Sequence, residues 1–83
     1  MNSWKAKKAD GVLQIQKGNM YLIFDSYEYD AHEDYLWIAL KRDGKVACEI
    51  KGEEATEIFL LATTNGIKGS LFKEKRYTLK REL

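Results

Sequence analysis

Tyr35-Leu36-Trp37-Ile38-Ala39-Leu40-Lys41-Arg42-Asp43-Gly44-Lys45-Val46-Ala47-Cys48-Glu49-Ile50-Lys51 reads as two apolar runs joined by Asp-Gly. Asp-Gly between such runs favours a two-residue type I′ turn, whose two central residues both need positive φ. The turn predicts a register: Arg42 opposite Lys45, Lys41 opposite Val46, Ala39 opposite Cys48 and Trp37 opposite Ile50. Directly opposed residues share a face of the sheet. Trp37, Ala39, Val46, Cys48 and Ile50 are therefore expected in the core. Leu36, Ile38 and Leu40 fall on the other side with Ala47, Glu49 and Lys51. On this reading Trp37→Ala costs roughly 3–5 kcal/mol.

Upstream lies a second strand pair. Val12, Leu13 and Ile15 begin a strand, Lys17-Gly18-Asn19 reads as a tight turn, and Met20-Tyr21-Leu22-Ile23-Phe24 follows, apolar on both faces. Residues 1–10 are polar and end in the turn signal Ala9-Asp10-Gly11, which predicts a flexible arm anchored by Trp4. Residues 11–83 are expected to form one compact domain.

Downstream, Glu53 to Thr64 carries the helical period. Ala55, Ile58, Phe59, Leu61 and Ala62 form one stripe, and Leu60 lies opposite. Gly52 is a candidate N-cap, Glu53, Glu54 and Glu57 suit the positive end of the helix dipole, and Asn65-Gly66 supplies a left-handed stop. Residues 67–72 and 76–82 then read as a final hairpin, with Ile67, Leu71, Tyr77 and Leu79 inward and Lys68, Phe72, Arg76 and Lys80 outward.

The expected fold is α+β: a curled antiparallel sheet or small open barrel in the order β-β-β-β-α-β-β, with one helix near 53–64. One helix covers one face of a sheet. Strands apolar on both faces therefore call for curling, or for a homodimer that buries the second face.

Between the two strand pairs lies Phe24-Asp25-Ser26-Tyr27-Glu28-Tyr29-Asp30-Ala31-His32-Glu33-Asp34-Tyr35. Residues 25–34 hold five carboxylates and no Lys or Arg. At the C-terminal end, Lys68, Lys73, Lys75, Arg76, Lys80 and Arg81 outnumber Glu74 and Glu82. The net charge of +1 thus hides two opposite poles, and such poles steer partners.

The residue inventory argues against an enzyme and against a bound cofactor. His32 is the single histidine, and Ser3, Ser26 and Ser70 sit in no nucleophile-elbow context. The spacing of Asp25, Asp30, Glu33 and Asp34 does not match a calcium-binding loop, so no metal site is expected. The one cysteine, Cys48, excludes an internal disulfide and fits a reducing, cytoplasmic setting. No signal peptide and no transmembrane run is read.

Binding remains. Tyrosines supply contact area at low entropic cost. The first expectation is a small protein-interaction module, an inhibitor or regulator. It would present Asp25, Tyr27, Glu28, Tyr29, Asp30, Glu33 and Asp34 as an acidic, Tyr-rich loop to a basic partner surface. The alternative is a single-stranded nucleic-acid-binding protein that uses Lys68, Phe72, Arg76 and Lys80 of the basic C-terminal hairpin. Trp4, Lys5, Lys7 and Lys8 would extend that site.

Overall fold

The computed structural model describes residues 3–72. Among them, in chain order, are β1 (Lys5–Ala9), β2 (Val12–Lys17), β3 (Met20–Phe24), β4 (Ser26–Ala31), β5 (Leu36–Arg42), β6 (Lys45–Lys51), α1 (Glu53–Thr64) and β7 (Lys68–Leu71). They form an antiparallel sheet β1-β2-β3 and a mixed sheet β6-β5-β4-β7 in which β7 runs parallel to β4. The fold is α+β, as expected, but the sheets do not close into a barrel. The strand order differs from expectation because two stretches read as arm and loop are strands.

The Asp43-Gly44 turn forms with φ of 56° and 81°, the positive pair that type I′ requires. The first rungs, Arg42↔Lys45 and Lys41↔Val46, follow the predicted register. A bulge then intervenes between Leu40 and Lys41. Beyond it Leu40 faces Cys48, Ala39 faces Glu49, Ile38 faces Ile50 and Trp37 faces Lys51. One extra residue, Ala47, exchanges the two faces of everything beyond it. The predicted core face is corrected accordingly. Ile38 and Leu40 are fully buried, Val46 is 51% exposed, and Trp37 turns to the opposite face beside Glu49. Ala39 is buried there, flanked by its cross-strand partners Glu28 and Glu49.

Residues 5–9, read as part of an arm, pair along their whole length with β2. Asp10-Gly11 repeats the Asp-Gly chemistry, with φ of 56° and 76°. Lys-Ala-Lys-Lys-Ala gave no apolar alternation because all five residues are exposed. Trp4 does act as an anchor. Its ring is buried, its backbone N–H donates to Glu57 Oε2 at 3.0 Å, and Lys17 pairs with Glu54 on the same helix.

The acidic stretch is not a loop. Asp25 is a one-residue corner, its N–H bonded to the Lys41 carbonyl at 2.9 Å, and the chain re-enters a sheet as β4. Tyr27 and Tyr29 point to the helix side. Tyr27 meets Phe59 edge-on at 5.8 Å, and Tyr29 meets it at 5.0 Å. Tyr27 also lies across Gly69, its neighbour on β7, where a Cβ would fall inside the phenol ring.

Helix α1 has the predicted bounds, with Ala55, Ile58 and Ala62 buried against both sheets in one apolar cluster with Leu13, Ile15, Phe24, Ile38 and Leu40. Gly66 at φ 72° ends it. The Gly66 N–H bonds Thr63 O at 3.1 Å and the Ile67 N–H bonds Ala62 O at 2.9 Å, the paired bonds of a Schellman stop. Ile67 is buried as expected. Leu71, expected inward, is 56% exposed. Of the expected final hairpin, residues 76–82 lie outside the described residues.

Candidate functional site

Alternation along β4, β5, β6 and β7 sends Tyr27, Tyr29, Ile38, Leu40 and Ile50 toward α1, and a second set away from it. The helix packs on the first face, and among the described residues the second carries exposed Glu49, Lys51, Lys68 and Ser70. Its rows follow from the register. Asp30 lies beside Trp37, and Trp37 beside Lys51. Ser70, Glu28, Ala39 and Glu49 form the next row, and Lys68, Ser26 and Lys41 the third.

The rows differ in character. At the Lys41 end, Lys41 pairs with Glu28 at 3.6 Å beside a shallow groove of about 320 Å³ lined by Ser26, Lys68 and Ser70. At the other end the aromatic rings gather. Trp37 and Phe72 have centroids 4.7 Å apart, positioned by a bond from the Phe72 N–H to the Tyr29 carbonyl at 2.7 Å. His32 stacks on Tyr35 at 4.5 Å and 18°, inside the β4–β5 turn closed by the His32 N–H on Tyr35 O. The Lys51 ammonium sits 5.6 Å from the Tyr35 ring centroid. Carboxylates border the rings: Asp30, 3.2 Å from His32 Nε2; Glu49, which accepts from the Trp37 indole N–H at 3.4 Å; and exposed Glu33 and Asp34 in the turn.

The predicted site residues scatter across this frame. Glu33 and Asp34 are exposed at the tip, and Asp30 is buried just behind it. Glu28 is engaged with Lys41 one row further along. Asp25 lies five residues from Asp30, about 17 Å along the strand, and its carboxylate accepts from the Ser26 hydroxyl and the Asp43 N–H. Tyr27 and Tyr29 belong to the core. Burial, then the neighbouring Tyr29, pushes the Tyr27 hydroxyl above its ordinary pKa. Of the nucleic-acid set, Lys68 and Phe72 lie at opposite ends of β7, next to β4 with its Glu28 and Asp30. Arg76 and Lys80 lie outside the described residues. Trp4 is buried, and Lys8 shares its face with Leu13 rather than with Lys5 and Lys7.

Sequence reasoning placed Glu49 and Lys51 on the outer face, where they are, but missed Trp37 as their neighbour there and did not single out Tyr35. The signal was hidden by the bulge, since the unbulged register puts Trp37 inside.

Burial, then Glu49, pushes the Cys48 thiol up, away from the reactive thiolate. Among the described residues no three His, Cys, Asp or Glu side chains converge as a metal cage, and no helix is long and apolar enough to cross a membrane. No protein-family model, curated protein or solved structure matches the chain.

Proposed function

We propose that the protein is a non-enzymatic interaction module, acting as an inhibitor or regulator, that grips a basic segment of a protein partner. The contact surface is the tip of the face away from α1: Tyr35, Trp37, Phe72 and His32, bordered by Asp30, Glu33, Asp34 and Glu49. One observation carries the reading. Four partly exposed rings are bordered by carboxylates at the end of a rigid sheet, and a lysine already rests against one of them.

The physical logic is complementary. Aromatic faces attract Arg and Lys cations, and nearby carboxylates add charge-assisted hydrogen bonds. The contact of Lys51 with Tyr35 supports this reading, since a partner's guanidinium could take the same place over the ring. This keeps Glu33 and Asp34 of the acidic stretch as contacts, leaves buried Asp30 behind them beside His32, and gives Tyr27, Tyr29 and Asp25 structural roles. Carboxylates also disfavour nucleic acid here, since Glu28 and Asp30 stand on β4, the strand beside Lys68 and Phe72, and repel phosphates.

The test is fluorescence anisotropy of a labelled arginine-rich peptide with the full chain. Saturable binding, weakened by Tyr35→Ala and by the pair Glu33→Lys and Asp34→Lys, supports the reading. Equal binding by parent and both variants defeats it.

A further inference from the structure

The outer face of β1–β2–β3 has a different character. Its rows are Lys5–Gln16–Tyr21 and Lys7–Gln14–Ile23. The opposite face carries the buried Leu13, Ile15 and Phe24, so the outer face looks to solvent. No carboxylate stands in these rows. The nearest acids along the chain are Asp10, in the turn beyond Ala9, and Asp25, whose oxygens are already bonded.

Tyr21 is 54% exposed and is nonetheless held in place. Its hydroxyl donates to Gln14 Oε1 at 3.0 Å, on the diagonal neighbour across β2. That bond fixes the phenol over the strand and leaves the Gln14 amide NH2 as a donor. Lys5 and Lys7 lie two residues apart on the adjacent strand, about 6.6 Å, comparable to the spacing of successive phosphates on an unstacked strand. Lysines also protect an edge strand against pairing. Edge protection alone calls for neither a tethered exposed aromatic nor the absence of acids across three strands.

We propose that this face binds single-stranded nucleic acid, with a base stacked on Tyr21, phosphates at Lys5 and Lys7, and the Gln14 and Gln16 amides along the backbone. Stacking on an exposed ring within a basic surface is the general mode for unpaired strands. The site is on the other sheet from the protein-binding tip and stands independently of it.

The experiment is anisotropy of a labelled single-stranded oligonucleotide with the full chain, using duplex and anionic phospholipid vesicles as competitors. Two neutralised phosphates predict about a sevenfold loss of affinity from about 50 to about 200 mM salt. Tyr21→Ala should weaken binding about fivefold or more. Tyr21→Phe keeps the ring and should retain most of the affinity. Lys5→Gln with Lys7→Gln should flatten the salt dependence, while Tyr35→Ala should change nothing. No binding at the lower salt overturns the proposal. So does binding that survives the lysine substitutions, or that vesicles or duplex displace better than the unlabelled single strand.

Discussion

The Asp25 carboxylate accepts a hydrogen bond from the Asp43 backbone N–H at 3.1 Å. It joins the corner between the two sheets to the tip of the β5–β6 hairpin, 18 residues away in sequence. Asp25 also sends its own N–H to Lys41 O, so a single residue secures the step from β3 into β4. Asp25→Ala should lower stability by about 1–2 kcal/mol, whereas Asp25→Asn, which keeps an acceptor oxygen, should lose less. Urea denaturation of the two variants checks the order. No loss in either variant would mean that the bond to Asp43 contributes nothing.

Gly69 has a packing reason rather than a conformational one. The Tyr27 ring occupies the space a side chain would take. Gly69→Ala should cost about 1–3 kcal/mol through overpacking. The loss should shrink when Tyr27 is also replaced by Leu, and a double-mutant cycle by denaturation measures the coupling.

Gly44 is the reverse case. A Cβ there meets nothing within 4 Å, but φ is 81°. Gly44→Val should cost roughly 1–2 kcal/mol or more through backbone strain alone. A variant as stable as the parent in the same denaturation would refute the type I′ geometry.

The bulge reverses the expected ranking of two neighbours. Ile38→Ala should cost roughly 2–5 kcal/mol, since Ile38 is fully buried against the helix. Trp37→Ala should cost clearly less, because Trp37 is only half-buried on the face away from α1. Thermal melts of both variants decide it. The opposite ranking would restore the unbulged register.

Alkaline pH should lower the protein's stability through two groups. The folded-state pKa values of Cys48 and Tyr27 are raised above 9.0 and 10.0 by burial first. The folded state then holds its protons more tightly than the unfolded chain, so stability falls as pH rises beyond those values. Below about pH 9 neither group affects the pH dependence. Tyr27→Phe should remove the part that sets in near pH 10, read as melting temperature across pH 8 to 11. An unchanged alkaline limb would contradict the burial of Tyr27.

Local chemistry made some elements legible. The α1 bounds followed from a 3.6-residue stripe and Asn65-Gly66, and the Asp43-Gly44 turn followed from its dipeptide. The elements that escaped lacked an apolar run. The first strand, Lys5–Ala9, has no apolar residue larger than alanine and is recruited by pairing with β2. The β4 strand does carry a period of two, Glu28 and Asp30 outward and Tyr27 and Tyr29 inward, but five carboxylates within residues 25–34 made the stretch read as a loop. The bulge at Ala47 leaves no sequence mark, and that single residue moved Trp37 from expected core to candidate site. The acidic tip was legible as far as Glu33 and Asp34. Its aromatic half was not, because it assembles from β5, β7 and the turn.

The most direct test of the central claim is an amide and indole NMR map of the full chain titrated with the arginine-rich peptide. The account predicts shifts at the Trp37 indole N–H, Tyr35, Glu49 and Phe72, with β1–β3 unmoved. No shifts, or shifts confined to β1–β3, would contradict it.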